Sequence, residues 1–379
     1  MIDLDDAEAL VAADPDAMLQ AIASSAGQVR EAAVFAAEAG LAELAAEGRP
    51  RAVVVLGMGG SGIAGDVLAA VAGPSCPVPI VSHRGYNLPA WVGAADLVMA
   101  VSCSGRTEET LSALEEAVRR GCRLLVVAAD GSPVQALGAR GRAAFVPVSQ
   151  GRQPRASVWS LSVPLLAAGH ALGLLSAGPA ELAEAATVLE QVATTCRPDA
   201  DQVTNPAKTL ASELRGTLPV LWGTSPVTGT AAYRFACQLN ENAGQPATWG
   251  VLPEANHNQV VAFDGPWGRR PAGPVDAPGQ DDFFRDREDD VERVGLRLVL
   301  LRDTGEHPQV TRRADVSAEL AAERGIGVTQ LRAEGDSAVA RLAWLIGLTD
   351  FASAYLALAE GTDPTPVPAI EALKARIAR

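Results

Sequence analysis

Lysine is almost missing from this 379-residue sequence: only Lys208 and Lys374 occur, and arginine carries nearly all the positive charge. Biased codon usage accounts for the shortage. A lysine that persists is still a position to track, because arginine cannot exchange a proton near neutral pH. Cysteine is sparse and scattered (Cys76, Cys103, Cys122, Cys196, Cys237). With no Cys-x-x-Cys pair and no histidine at ligand spacing, a disulfide framework and a structural zinc are both excluded, and no metal is expected. There is little net positive charge to offer a polyanion. At −14, the chain argues against nucleic acid or an anionic membrane as partner, so an anionic substrate must be gripped locally. The start, Met1-Ile2-Asp3-Leu4-Asp5-Asp6, is acidic where a secretory signal is basic, and no apolar run reads as long enough to cross a bilayer. A cytoplasmic protein is expected.

What is present is 48% hydrophobic content spread along the chain, enough for two cores. After an alanine-rich helical stretch (about 15–48), the apolar run 52–56 reads as a buried strand that ends at glycines, with a helix from Ser61. Strands are expected near 78–81, 97–101, 124–128 and 144–148, with a helix at about 107–119. The pattern restarts with helices at about 179–195 and 206–215, a strand at 218–222, a helix at 229–239 and a strand at 247–251. It continues through a strand at 296–301, a helix at 316–324, a strand at 328–331 and a helix at 337–360. Such alternation predicts an α/β chain of two tandem units, each a mostly parallel sheet flanked by helices, joined near 172–182. Residues 264–290 are rich in Pro, Gly and Asp and read as a long loop insertion.

Two loops carry the functional signal. Gly57-Met58-Gly59-Gly60-Ser61-Gly62 follows a strand and opens a helix, which suits an anion: glycine lets the backbone approach, and the helix offers N–H groups and a positive dipole end. Its Gly-x-Gly-x-x-Gly spacing also fits a dinucleotide turn, but that reading wants an acid at the end of the next strand, and Ser82, His83 and Arg84 stand there. The second loop, Ser102-Cys103-Ser104-Gly105-Arg106-Thr107, adds hydroxyls at another strand end, which hold a phosphate monoester without much net charge. Each serine alone could be a helix cap. Two such loops on neighbouring strands favour a sugar phosphate.

The segments Gly57-Met-Gly-Gly-Ser-Gly-Ile-Ala-Gly-Asp66 and Ser102-Cys-Ser-Gly-Arg-Thr-Glu-Glu-Thr110 resemble the sugar isomerase (SIS) fold. More narrowly, the chain resembles the bifunctional phosphoglucose/phosphomannose isomerases. That match runs on through Pro154-Arg155-Ala156-Ser157, Leu239-Asn240-Glu241-Asn242-Ala243, Leu252-Pro253-Glu254-Ala255-Asn256-His257-Asn258 and the tail from Asp363 to Lys374. The resemblance implies a helical segment over 1–50, a first SIS domain over 51–177 and a second over 178–379 carrying the 264–290 insertion and C-terminal helices. It implies aldose–ketose isomerisation of a hexose 6-phosphate through a cis-enediol, without metal or cofactor. Glu241 would be the proton-moving base and His257 the ring-opening group, given across a homodimer interface. Arg155 would stabilise the enediolate, with Lys374 also at the site. Gly60, Ser61, Ser102, Ser104 and Thr107 would hold the phosphate, and Thr365 would bear on sugar selectivity. His83, His170 and His307 are read as structural or surface residues.

Three positions depart from the family pattern: Arg106 for the usual asparagine, Gln245 for a basic residue and Gln259 for an acid. They leave open an alternative, a catalytically weak or silent regulatory protein that binds a sugar phosphate.

Overall fold

The computed structural model describes residues 2–268 and 294–377. Four helices open the chain: α1 (Ala7–Ala12), α2 (Met18–Ala23), α3 (Ser25–Glu38) and α4 (Leu41–Ala46). The single helical stretch expected over 15–48 is therefore broken, at its end by Gly40, whose φ of +69° no continuing helix adopts.

Strand and helix then alternate as β1 (Val53–Leu56), α5 (Gly60–Ala72), β2 (Ile80–His83), β3 (Leu97–Ser102), α6 (Glu108–Arg119), β4 (Arg123–Ala128), α7 (Pro133–Arg140), β5 (Ala144–Pro147) and α8 (Val158–Ala171). The second half comprises α9 (Pro179–Thr195), α10 (Pro206–Leu214), β6 (Thr217–Gly223), α11 (Pro226–Ala243), β7 (Thr248–Val251), β8 (Gly295–Arg302), α12 (Pro308–Glu323), β9 (Gly327–Arg332), α13 (Ala338–Ala359) and α14 (Pro368–Ile377). Helices α7 and α8 have no counterpart in the sequence reading, and α11 and α12 run longer than expected.

Both sheets are parallel, with orders β2-β1-β3-β4-β5 and β7-β6-β8-β9. All four residues of β1 are buried because each face of the sheet is covered. Val53 and Val55 join one large core with α3, α5, α8, α9, α11 and α13. Val54 and Leu56 point the other way, to a core with α6 and α7. The second sheet packs its far face on α12 through Trp222, Leu298, Leu300 and Ala314. A shared helical layer thus lies between the two sheets.

Helix α13 corrects one expectation. Its 22 residues are long and apolar enough to cross a bilayer by length and composition, yet 94% of its most apolar window is buried inside the protein. It is the central core helix. Of the 264–290 insertion, residues 264–268 are described and include Asp264, paired with Arg324 at 2.8 Å; the remainder lies outside the described residues.

Candidate active site

Strands β1 and β3 are neighbours in register (Leu56 beside Ala100), and their following helices leave toward opposite faces of the sheet. The crevice at such a switch point is where open parallel sheets take ligands. Both hydroxyl-bearing loops open into it. Gly57 has no room for a side chain, since a Cβ there would lie 2.8 Å from the Ser61 carbonyl group. The Ser61 hydroxyl oxygen accepts from the Cys103 amide at 3.3 Å, tying one loop to the other. Ser102 and Thr107 join their hydroxyls at 2.9 Å, and Ser104 accepts from the Arg106 amide at 3.3 Å. Helix capping does not account for this set: Thr107 is the N-cap of α6 but makes no side-chain cap bond, and the N-cap of α5 is Gly59. The exposed Arg106 side chain adds the nearest cation on the second loop.

Arg155 sits in a 3-10 turn (Pro154–Ala156) pressed onto the first loop, where a Cβ on Gly60 would come within 3.2 Å of the Pro154 carbonyl oxygen. The arginine is 5% exposed. Its Nε donates to Asn242 Oδ1 at 2.7 Å, and its Nη2 donates to the carbonyls of Pro364 and Thr365. Asn242 in turn donates to Ser353 on α13 at 2.9 Å. Arg234 donates to the Arg155 carbonyl at 2.7 Å and pairs bidentately with Asp350 of α13 at 3.0 and 2.6 Å. Burial lowers the Arg155 pKa, while the charges of Glu241 and Asp363 raise it; a guanidinium stays protonated regardless. Glu241, one residue before Asn242 on α11, is half-buried and makes no hydrogen bond among the described residues. Thr365 is 4% exposed, and its hydroxyl has no hydrogen-bond partner among the described residues, a state that a ligand hydroxyl would relieve.

Glu241, Arg155, Thr365 and the two loops are thus brought together. His257 and Lys374 are exposed and share no hydrogen bond or ion pair with that set among the described residues. His257 ends an exposed 3-10 turn (Glu254–His257) beyond the edge strand β7. Asn256 fastens that turn to Ser317 at 2.8 Å and Asn258 to Glu254 at 2.9 Å, leaving the imidazole outward. Lys374 lies on α14, which has no buried residue.

Two of the three departures have structural roles. Gln259 accepts from the Trp222 indole N–H at 2.6 Å and donates to the Trp249 carbonyl at 3.0 Å, and an ionised acid could not make the second bond. Gln245 donates to the carbonyls of Leu214 and Thr217. Sequence reasoning missed Arg234, Asp350 and Ser353. An aspartate in the middle of the largely apolar α13 was the available signal.

The second sheet repeats the switch point between β6 and β8 and fills it from within. The Ser225 hydroxyl donates to Asp303 Oδ2 at 2.6 Å, and the Thr224 hydroxyl to Glu306 Oε1 at 2.7 Å. Arg302 and Arg341 neutralise the two carboxylates. Burial works against the Glu306 charge, but hydrogen bonds from Arg302, Thr224 and Thr311 prevail and hold its pKa at about 2, below the ordinary 4.5. A carboxylate with a depressed folded-state pKa stabilises the fold above its unfolded-state value and loses that contribution as pH falls. Acid denaturation is therefore expected to draw on Glu306 between about pH 4.5 and 2, and Glu306→Gln should flatten the stability-versus-pH curve across that window. An unchanged curve in urea melts would remove this role.

Among the described residues no group of three or more His, Cys, Asp or Glu side chains is arranged to hold a metal ion. Residues 203–377 match the family described as bacterial phospho-glucose isomerase C-terminal SIS domain. The bifunctional phosphoglucose/phosphomannose isomerase of Caldicellulosiruptor bescii is 32% identical over 327 residues, 86% of this chain and 89% of that protein. The enzyme of the same name from Aquifex aeolicus is 31% identical over 86% of this chain and 89% of its own. Among solved structures, a hypothetical protein from Thermus thermophilus superposes with a TM-score of 0.71 over 99% of this chain and 94% of its own, at 17% identity, a likeness of fold alone. On its identity to these relatives across nearly their whole length, the chain belongs to the bifunctional phosphoglucose/phosphomannose isomerase family.

Proposed function

We propose that this protein interconverts glucose 6-phosphate or mannose 6-phosphate with fructose 6-phosphate through a cis-enediol, using one site built between a first SIS unit (51–177) and a second (178–379). The observation that carries this is that the buried Arg155, whose turn is pressed onto the first hydroxyl loop, donates at 2.7 Å to Asn242, the residue next to Glu241. In this reading the loops hold the phosphate through Gly60, Ser61, Ser102, Ser104 and Thr107, with helix N-termini supplying the field. Glu241 moves the proton between C2 and C1, needing only one base within reach of both carbons. Arg155 is already aimed by Asn242 and two carbonyls, so it meets the developing enediolate oxygen without reorganising. The unpartnered Thr365 hydroxyl takes a sugar hydroxyl and bears on the choice between the C2 epimers.

His257 opens the sugar ring from a second copy of the chain. Its exposed position on a tightly fastened turn suits a group delivered to a neighbour's cleft. An imidazole can both give and take a proton, which suits the ring-opening transfer. Lys374, on the uncovered α14, joins the site in the same assembly.

Both aldose phosphates are expected to turn over in an assay coupled to fructose 6-phosphate formation, with no added metal. Measurable binding of both sugars without turnover of either would overturn the enzyme reading and leave the regulatory one.

A further inference from the structure

The dinucleotide reading asked for an acid at the end of β2 and found Arg84. That arginine has a different occupation. Its Nη2 donates to the Gly62 carbonyl at 3.1 Å and pairs with the Asp66 carboxylate one turn further along α5. A Cβ on Gly62 would lie 2.9 Å from Arg84 Nε. The last glycine of that loop is therefore the seat of this guanidinium. The other face of Arg84 belongs to the second half of the chain: its Cζ stands 5.5 Å from the Tyr233 ring centroid, and Tyr233 packs against Trp249 of β7 with centroids 4.8 Å apart. Tyr233, Cys237 and Glu241 are spaced i, i+4, i+8 on α11 and share one face of that helix.

We infer that Arg84 is a positioning residue that locks the phosphate loop to the helix carrying Glu241, so that the anchored end of the sugar and the base are held in one frame. This rests on the function proposed above. Arg84 spans the two units with three different bonds: a hydrogen bond to the loop backbone, an ion pair to α5 and a cation–π contact to α11. Lysine can reproduce the charge but not the planar fork that makes all three together. A shift of the base by about an ångström relative to bound substrate costs up to two orders of magnitude in rate, whereas phosphate affinity depends on the loop alone.

The test compares wild type with Arg84→Met, Arg84→Lys and Tyr233→Leu, with Tyr233→Phe as the variant that keeps the ring. Expected is a fall in kcat on the order of 10- to 100-fold for the first three, with KM for fructose 6-phosphate and the inhibition constant of inorganic phosphate within about threefold of wild type. Tyr233→Phe should retain wild-type kcat. Equal rises in KM and the phosphate constant at unchanged kcat, rescued by lysine, would make Arg84 a simple anion attractor and overturn the inference. So would a lowered melting temperature with normal kcat below it. Hydrogen exchange supplies a readout that needs no turnover. Inorganic phosphate should slow exchange in both the 57–62 loop and residues 233–241 of wild type, but only in the loop of Arg84→Met. Equal protection of both segments in the variant also overturns the inference. A wild type that protects both segments yet shows no turnover defeats the proposed function and not this coupling.

Discussion

Glu241→Gln is expected to lower kcat by about 10²- to 10⁴-fold, the range over which a positioned acid–base group accelerates proton transfer. The amide keeps the shape and polarity of the side chain, and Glu241 makes no hydrogen bond among the described residues whose loss would disturb the fold. Sugar-phosphate affinity, which the proposed function assigns to the loops, should stay near wild type. The decisive measurement is exchange of the C2 proton of glucose 6-phosphate with solvent, which reports the step assigned to this carboxylate and no other. Undiminished exchange in the variant would mean that another group is the base.

The Arg234–Asp350 pair is the second large effect. Both side chains are nearly sealed from solvent, 1% and 4% exposed. Burial alone pushes the Asp350 carboxyl up, and the guanidinium pulls the other way. Removing one partner leaves the other charged, buried and alone, which costs about 3–5 kcal/mol, whereas replacing both by apolar residues is often nearly neutral. Asp350→Ala should therefore destabilise strongly in urea melts, and Arg234→Met with Asp350→Leu should recover most of the loss. Single variants within about 1 kcal/mol of wild type would contradict this. Activity should not return with stability in the double variant, because Arg234 also donates to the Arg155 carbonyl, and Arg155 then loses one of its supports.

Much of the fold was readable because its signals are local. A run such as Val53-Val54-Val55-Leu56, buried on both faces of a parallel sheet, is apolar without alternation, and the glycines after it end the strand. Hydroxyls at a second strand end were readable for the same reason. Helix α8 was harder to read: it is apolar on all sides and contains Pro164, so it shows neither a polar face nor the expected absence of proline. Length and hydropathy alone also give α13 the profile of a membrane span, and only its packing between α9, α10 and α11 separates the two cases.

By itself the sequence determined the two α/β units and the two glycine- and hydroxyl-bearing loops at strand ends, and its short polar blocks supplied the residue types proposed to react. Which of those residues meet was decided by tertiary structure. Arg155 bonds to carbonyls 209 and 210 positions away, and Asn242 to Ser353 across 111. No local periodicity encodes such contacts, since they arise from how α11, α13 and the C-terminal segment pack around one core. The same packing separates the two switch points. At one, the hydroxyls of Ser61, Ser102 and Thr107 bond, among the described residues, only within the two loops, and the other is closed by Asp303 and Glu306, whose charges are satisfied by arginines brought in from β8 and α13. Tertiary structure also left His257 and Lys374 exposed, the first on a turn fastened beyond the edge strand β7 and the second on α14, which has no buried residue.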